Sequence, residues 1–221
     1  MKSDSTFADR GEAAEALAAS LLDYRGHNPL ILAIPRGAVP MGKIIADRLD
    51  GELDIVLVRK LGAPFNPEYA LGAIDETGWV HLNRPLEGDG EANAFVASEK
   101  ARQLQLLQER RARYTPSHHP VDPEGRIVIV VDDGLATGAT MIAALHAIRA
   151  RNPAELVCAV PVGAPESLAS VMRFADRMVC LKKPENFFAV GQFYRHFSQV
   201  EDDEVTRILT AASSHRKAKG T

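Results

Sequence analysis

Cysteine is scarce in this chain. Cys158 and Cys180 are the only two, each inside an apolar run (LVCAV and MVCL), which points to buried thiols rather than a disulfide framework or a metal site. Long hydrophobic stretches are missing too. No apolar run reaches the ~18 residues that a spanning helix needs, so no membrane partner is expected. An excess of positive charge is also lacking: 26 Lys and Arg stand against 29 Asp and Glu, a formal net charge of -3. That balance argues against a nucleic-acid partner. The one basic cluster, His215 to Lys219, reads as a solvated tail. The N-terminal segment MKSDSTFADRGEAAEAL is charged early and has no signal-peptide core, so a cytoplasmic location is expected.

What is present suits a soluble globular chain, with 46% hydrophobic and 25% charged residues in a total of 221. That length suggests a single domain over residues 1–221. Phe7 to Leu22 has an apolar stripe at helical spacing and reads as a packing helix. Leu30 to Ile34 (LILAI) has the length of a buried strand and ends in Pro35-Arg36-Gly37; Val39 to Leu49 follows as a helix. Leu53 to Val58 is a second strand, ending in Arg59-Lys60. Residues 62–85 are rich in glycine and proline and carry hairpin chemistry around Asp75-Glu76-Thr77-Gly78, an excursion expected to form a flap. Residues 91–114 read as a long charged helix, followed by a loop with His118 and His119. Ile127 to Val131 is a third strand and Ala139 to Arg149 a helix. Leu156 to Val160, Pro165 to Phe174 and Met178 to Leu181 continue the alternation. A hood-like segment spans 182–200, a last helix runs from Glu201 to Ala212, and 213–221 form a tail. Strands alternating with helices predict an α/β fold with a mainly parallel five-stranded core sheet covered on both faces.

Ligands of such sheets sit beyond the C-terminal strand ends. The richest chemistry there lies in Ile127 to Thr140, IVIVVDDGLATGAT. Five β-branched residues lead into Asp132 and Asp133, whose carboxylates can accept hydrogen bonds from vicinal ribose hydroxyls or help hold a hydrated Mg2+. Ala136, Thr137, Gly138, Ala139 and Thr140 then open a helix N terminus, where a phosphate is favoured. No Gly-Lys-Ser/Thr follows, so this is not a Walker A loop, and the G-x-G-x-x-G spacing is absent.

The stretch resembles the 5-phosphoribosyl 1-diphosphate (PRPP) signature of type I phosphoribosyltransferases, and closely resembles a poorly characterised subgroup of that family from about Phe7 to Val205. The resemblance implies a type I phosphoribosyltransferase fold, with PRPP as donor, Mg2+ as cofactor and a small-molecule acceptor. Asp132 and Asp133 would hold the ribose hydroxyls and, indirectly, the metal. Residues 136–140 would bind the 5′-phosphate. Pro35, Arg36 and Gly37 look like the pyrophosphate loop, with a cis bond expected between Pro35 and Arg36. Arg59 and Lys60 resemble the Arg-Lys pair of the orotate branch, so that Arg36 and Lys60 would act on the leaving group beside the two aspartates. Residues 62–85 occupy the place of the family's flexible catalytic loop.

One position departs from the purine-salvage branch. Ala136 stands where those enzymes usually carry an aspartate near the purine N7. Proton handling would then fall to the acceptor, to Glu68, Asp75, Glu76 or His81 in the flap, or to the C-terminal segment. There Lys182 or Lys183 would contact an exocyclic oxygen, and Phe187 or Phe188 would stack on a ring. The acceptor is open between a nucleobase, an amine and a hydroxyl. A non-catalytic regulator that binds PRPP or a nucleotide is the competing expectation. The family commonly forms dimers, so a homodimer is compatible with the sequence without being required by it.

Overall fold

The computed structural model describes residues 6–63, 66–82, 90–116 and 120–219, with the side chains of 63, 66–70, 90–93 and 215–219 outside the description. His118, His119 and the side chain of Glu68 therefore lie outside the described residues. The core is a five-stranded sheet of β1 (Leu30–Ala33), β2 (Glu52–Ile55), β6 (Ile127–Val131), β7 (Glu155–Val162) and β8 (Arg177–Lys182). Its order is β2-β1-β6-β7-β8 and every pairing is parallel. The expected α/β architecture is thus present, with the acid-bearing strand β6 at the centre.

Strand periodicity sorts the core into two faces. Ile31, Ala33, Ile129 and Val131 point to one side, which α1 (Arg10–Ala19), α2 (Ala38–Leu49) and α6 (Asp202–Lys219) cover. Leu30, Leu32, Val128 and Val130 point to the other, beneath α4 (Ala139–Arg149) and α5 (Pro165–Val171). Helix α1 starts because the Asp9 side chain caps the N–H of Glu12 at 3.0 Å, and it buries Ala13, Ala14, Leu17 and Ala18. Both cysteines are free thiols, Cys158 fully buried. No described helix is long and apolar enough to cross a membrane.

The expected flap excursion falls in a second sheet. Strands β3 (Val58–Ala63), β4 (Asn66–Asp75) and β5 (Val80–Leu82) pair antiparallel, with β4 in the middle. The hairpin turn is built by the fully buried Asp75, whose Oδ1 accepts from Thr77 N at 2.8 Å, Thr77 Oγ1 at 2.6 Å and Trp79 N at 3.0 Å. This sheet docks on α4 through Trp79, whose ring lies 3.5 Å from that of His146 at an 8° interplanar angle. Helix α3 (Gly90–Tyr114) closes the other side. Its Arg111 bonds Glu76 in the hairpin turn at 2.7 and 3.1 Å and the Ile55 carbonyl at 3.2 Å.

Two boundaries differ from expectation. The second core strand ends at Ile55, so Arg59 and Lys60 do not terminate it; they lie inside β3, and the flap sheet begins at Val58 rather than at 62. Val56, Leu57 and Val58 stay buried while the chain passes from one sheet to the other, so hydrophobicity runs on unbroken across the switch. At the other end, helix α6 continues to Lys219 instead of fraying after Ala212, since no glycine or proline intervenes before Gly220.

Candidate active site

The centre of the site is the turn after β6. Asp132 accepts from the N–H of Asp133 at 2.9 Å. Asp133 turns its carboxylate towards the turn before α2: a Cβ placed on Gly37 would stand 2.2 Å from Asp133 Oδ2, so only glycine leaves room for that oxygen. The Pro35–Arg36 peptide in the same turn is cis, as expected. Burial and the charge of Asp133 push the Asp132 carboxyl well above the usual carboxylate range, with Lys60 and Arg10 opposing that rise. Burial also raises Asp133, against the pull of Arg10.

After the acids, Leu135 is bound to the next loop by Leu135 N–Val162 O (2.9 Å) and Ala164 N–Leu135 O (3.0 Å), and Ser167 Oγ donates to the Ala136 carbonyl. Gly138 has φ +79, a left-handed conformation in which a Cβ would also lie 2.8 Å from Val171 Cγ2. The helix start that follows, at Ala139 and Thr140, has no side-chain cap and no acidic residue in its first turn. Its first N–H groups lack intrahelical acceptors, and Ala136 and Thr137 are exposed beside them.

The remaining candidates divide. Lys60 is exposed and its charge reaches Asp132. Arg59, its neighbour on the strand, faces the opposite way towards α3, where burial and the charges of Arg110 and Arg102 lower its pKa. Arg36 leans towards the start of α6, 3.6 Å from Asp202 and 3.8 Å from Glu201. In the segment after β8, Lys182 places its ammonium 3.7 Å above the ring of Phe7. Phe187 packs on Phe193 with centroids 5.2 Å apart, whereas Phe188 is 89% exposed. Gln192 holds Phe188 in place, its Oε1 accepting from the N–H groups of Phe188 (2.9 Å) and Ala189 (3.1 Å). Of the flap groups named for proton handling, Asp75 caps its own turn and Glu76 is paired with Arg111. His81 stands edge-on to Phe174, its pKa lowered by burial and by Arg173.

One contributor lies outside the sequence expectations. Arg10, the first residue of α1, reaches Asp133 Oδ2 with both Nε (2.9 Å) and Nη2 (2.8 Å). Its sequence signal is faint: a cation at a helix N terminus opposes the helix dipole and so calls for an acidic partner. Tyr194 adds a second tie by donating its hydroxyl to the Asp133 carbonyl at 2.7 Å, and burial raises its pKa.

Comparison with known proteins identifies the family. The family model described as "Phosphoribosyl transferase domain" matches residues 7–197. A Mycobacterium tuberculosis protein named "Putative phosphoribosyl transferase Rv0571c" is 42% identical over 207 residues, 93% of this chain. A second from the same species, "Putative phosphoribosyl transferase MT0597", matches to the same extent. The chain spans only 47% of the length of these relatives. The crystal structure of TT1426 from Thermus thermophilus superposes with a TM-score of 0.79 at 41% identity, covering 93% of this chain and 98% of that one. With most of its length matched by the family model and a parallel core that ends in the paired acids, this chain belongs to the phosphoribosyl transferase family.

Proposed function

We propose that the chain is a phosphoribosyltransferase that takes PRPP with Mg2+ as donor, transfers the 5-phosphoribosyl group to a small-molecule acceptor and releases pyrophosphate. The observation that carries this reading is the meeting of three elements at one end of the central strand: Asp132-Asp133, the cis turn with Gly37, and the uncapped start of α4. In this reading Asp132 and Asp133 hold the ribose hydroxyls, and residues 136–140 take the 5′-phosphate with backbone N–H groups and the Thr137 and Thr140 hydroxyls. Pro35, Arg36 and Gly37 line the diphosphate, and Arg36 exchanges its ion pairs with Asp202 and Glu201 for the leaving group. Lys60 serves the same charge from the flap side. Arg59 supports the flap against α3 instead.

Among the described residues no three His, Cys, Asp or Glu side chains gather into a metal cage. Two carboxylates of which one is already held by Arg10 suit an ion that arrives with diphosphate oxygens and water. When bound, Mg2+ would neutralise diphosphate charge. The acceptor attacks C1 of the ribose as the C1–O bond to pyrophosphate breaks, while the flap sheet keeps water out. Phe188 is the better candidate of the two phenylalanines for stacking on an acceptor ring, with Phe187 and Lys182 as its support. A cytoplasmic location and a homodimer belong to the same proposal.

Ala136 favours one competing reading. It puts no carboxylate beside the acceptor, as would suit a protein that binds PRPP without turning it over. The test is calorimetric titration with PRPP in the presence and absence of Mg2+, followed by an assay of pyrophosphate release over a panel of bases, amines and alcohols. Mg-dependent binding with release supports the transferase. Binding without release across the panel supports the regulator, and no PRPP binding overturns both.

A further inference from the structure

The N-terminal segment and the C-terminal segment form one unit beside the acid pair. Phe7 N bonds Phe193 O at 2.8 Å, Arg195 N bonds Phe7 O at 2.8 Å and His196 N bonds Ala8 O at 2.9 Å. Arg10 follows directly on that ribbon. Its Nη1 donates to the Ser198 carbonyl at 2.6 Å, and its guanidinium carbon lies 3.8 Å from the centre of the Phe197 ring. The side chain is only 14% exposed, so its direction is set by packing on Phe197 as well as by charge.

The way Arg10 meets Asp133 is informative. A guanidinium that pairs with a carboxylate in the forked manner occupies both oxygens with two parallel hydrogen bonds. Here Nε and Nη2 converge on the same oxygen, Oδ2, which is also the oxygen wedged against Gly37. No other side chain bonds the Asp133 carboxylate among the described residues, so Oδ1 remains available to a ligand hydroxyl. An arginine placed only to neutralise the aspartate, or to block it, would gain more by taking both oxygens.

We propose that Arg10 is a positioning residue for the ribose end of the donor site: it pins Asp133 Oδ2 so that Oδ1 is presented to a vicinal diol, and through Ser198 and Phe197 it ties that carboxylate to the segment that carries Phe188. This rests on the donor reading given above. Donor recognition is thereby coupled to the acceptor side through one side chain. Loss of the guanidinium frees the Asp133 carboxylate to rotate and, among the described hydrogen bonds, leaves the 193–198 segment held to the acid turn by the Tyr194 hydroxyl.

The experiment compares the wild type with Arg10→Gln and Arg10→Lys by calorimetry, using Mg-PRPP and, separately, Mg-pyrophosphate. R10Q weakens Mg-PRPP binding by about tenfold or more, the loss expected when charge-assisted bonds no longer fix an acceptor oxygen. R10K, which keeps the charge and one donor, recovers part of that loss. Mg-pyrophosphate, which has no ribose, binds all three proteins alike. PRPP binding in R10Q that is unchanged or tighter overturns the proposal, the latter marking Arg10 as a competitor of the ribose. Equal losses for PRPP and pyrophosphate also overturn it, because they indicate general damage around Gly37. A wild type that binds pyrophosphate but not PRPP defeats the donor reading and the proposal together, whereas wild-type PRPP binding with an indifferent R10Q defeats the proposal alone.

Discussion

Asp132 is held where a charged carboxylate is unwelcome. Burial and the neighbouring Asp133 raise its pKa; the hydrogen bond from the Asp133 N–H and the charges of Lys60 and Arg10 pull the other way without cancelling that rise. The folded state therefore binds a proton at Asp132 more tightly than the unfolded chain does. Over the interval between the two pKa values, stability falls as pH rises, so at neutral pH the side chain has cost the fold stability that it does not cost in acid. Asp132→Asn removes that effect. Its thermal midpoint at pH 7 should exceed the wild type's, with the gap closing as the pH is lowered towards about 4, the usual carboxylate value. Mg-PRPP affinity should drop in the same variant by at least about tenfold, a site paid for in stability. Thermal scans from pH 4 to 8 together with calorimetry check both halves, and a midpoint below that of the wild type at pH 7 contradicts the burial argument.

The same turn shows what residue-level reading can reach. Asp132, Asp133 and the small residues after them stand out locally, because a β-branched run, two acids and a helix start follow one another without interruption. The cis bond at Pro35–Arg36 is reached only through family resemblance. Arg10 escapes both routes: it lies 123 positions from Asp133, and the apolar stripe of α1 carries no information about which polar side chain at the helix start will find a partner. Phe187 and Phe188 illustrate the same limit. Adjacent and chemically identical, they are separated only by the fold, which packs one on Phe193 and leaves the other in the open.

Among the elements, β6 and α4 have the bounds expected from sequence, since both are framed by sharp changes of residue type. The passage from β2 to β3 does not, because burial is continuous while hydrogen-bond partners change. The consequence is mechanical. The flap sheet is no free loop but is fastened to α4 by Trp79 on His146 and to α3 by Glu76 on Arg111. Asp75 Oδ2 is buried without a hydrogen bond, 3.7 Å from His146 Nδ1, itself unbonded. Stacking therefore carries the junction more than hydrogen bonding does. Trp79→Ala should cost about 2–3 kcal/mol, somewhat less than a fully buried aromatic. The loss should be local: amide exchange in residues 72–82 accelerates while β1, β6 and β7 stay protected. Uniform acceleration over both sheets would show instead that the flap is integral to the core.

For the molecule as a whole, the proposed donor site draws on segments from both ends of the chain: α1 and the ribbon at 193–198, the turn before α2, and the loop before α4. A ligand that touches all of them stabilises the entire fold by mass action, by about 2.7 kcal/mol at a concentration one hundred times its Kd. Addition of Mg-PRPP should accordingly raise the thermal midpoint by several degrees, and PRPP with a chelator should raise it much less. A shift that ignores the metal would speak against the magnesium assignment. The relatives from Mycobacterium tuberculosis are about twice as long as the matched region.

The central place of β6 has one more consequence. Its neighbours β1 and β7 enclose it on both sides, so the strand that ends in the acids is the hardest part of the sheet to remodel. The sheet's two margins lead elsewhere: β2 runs on into the flap, and β8 into the segment with Phe188. In the proposed reading the acid pair and the phosphate loop thus belong to the interior of the sheet, and the acceptor-facing Phe188 to its border. A lineage with this layout can exchange one acceptor for another by rewriting the surroundings of Phe188 in residues 183–192 while Asp132, Asp133 and residues 136–140 are inherited untouched.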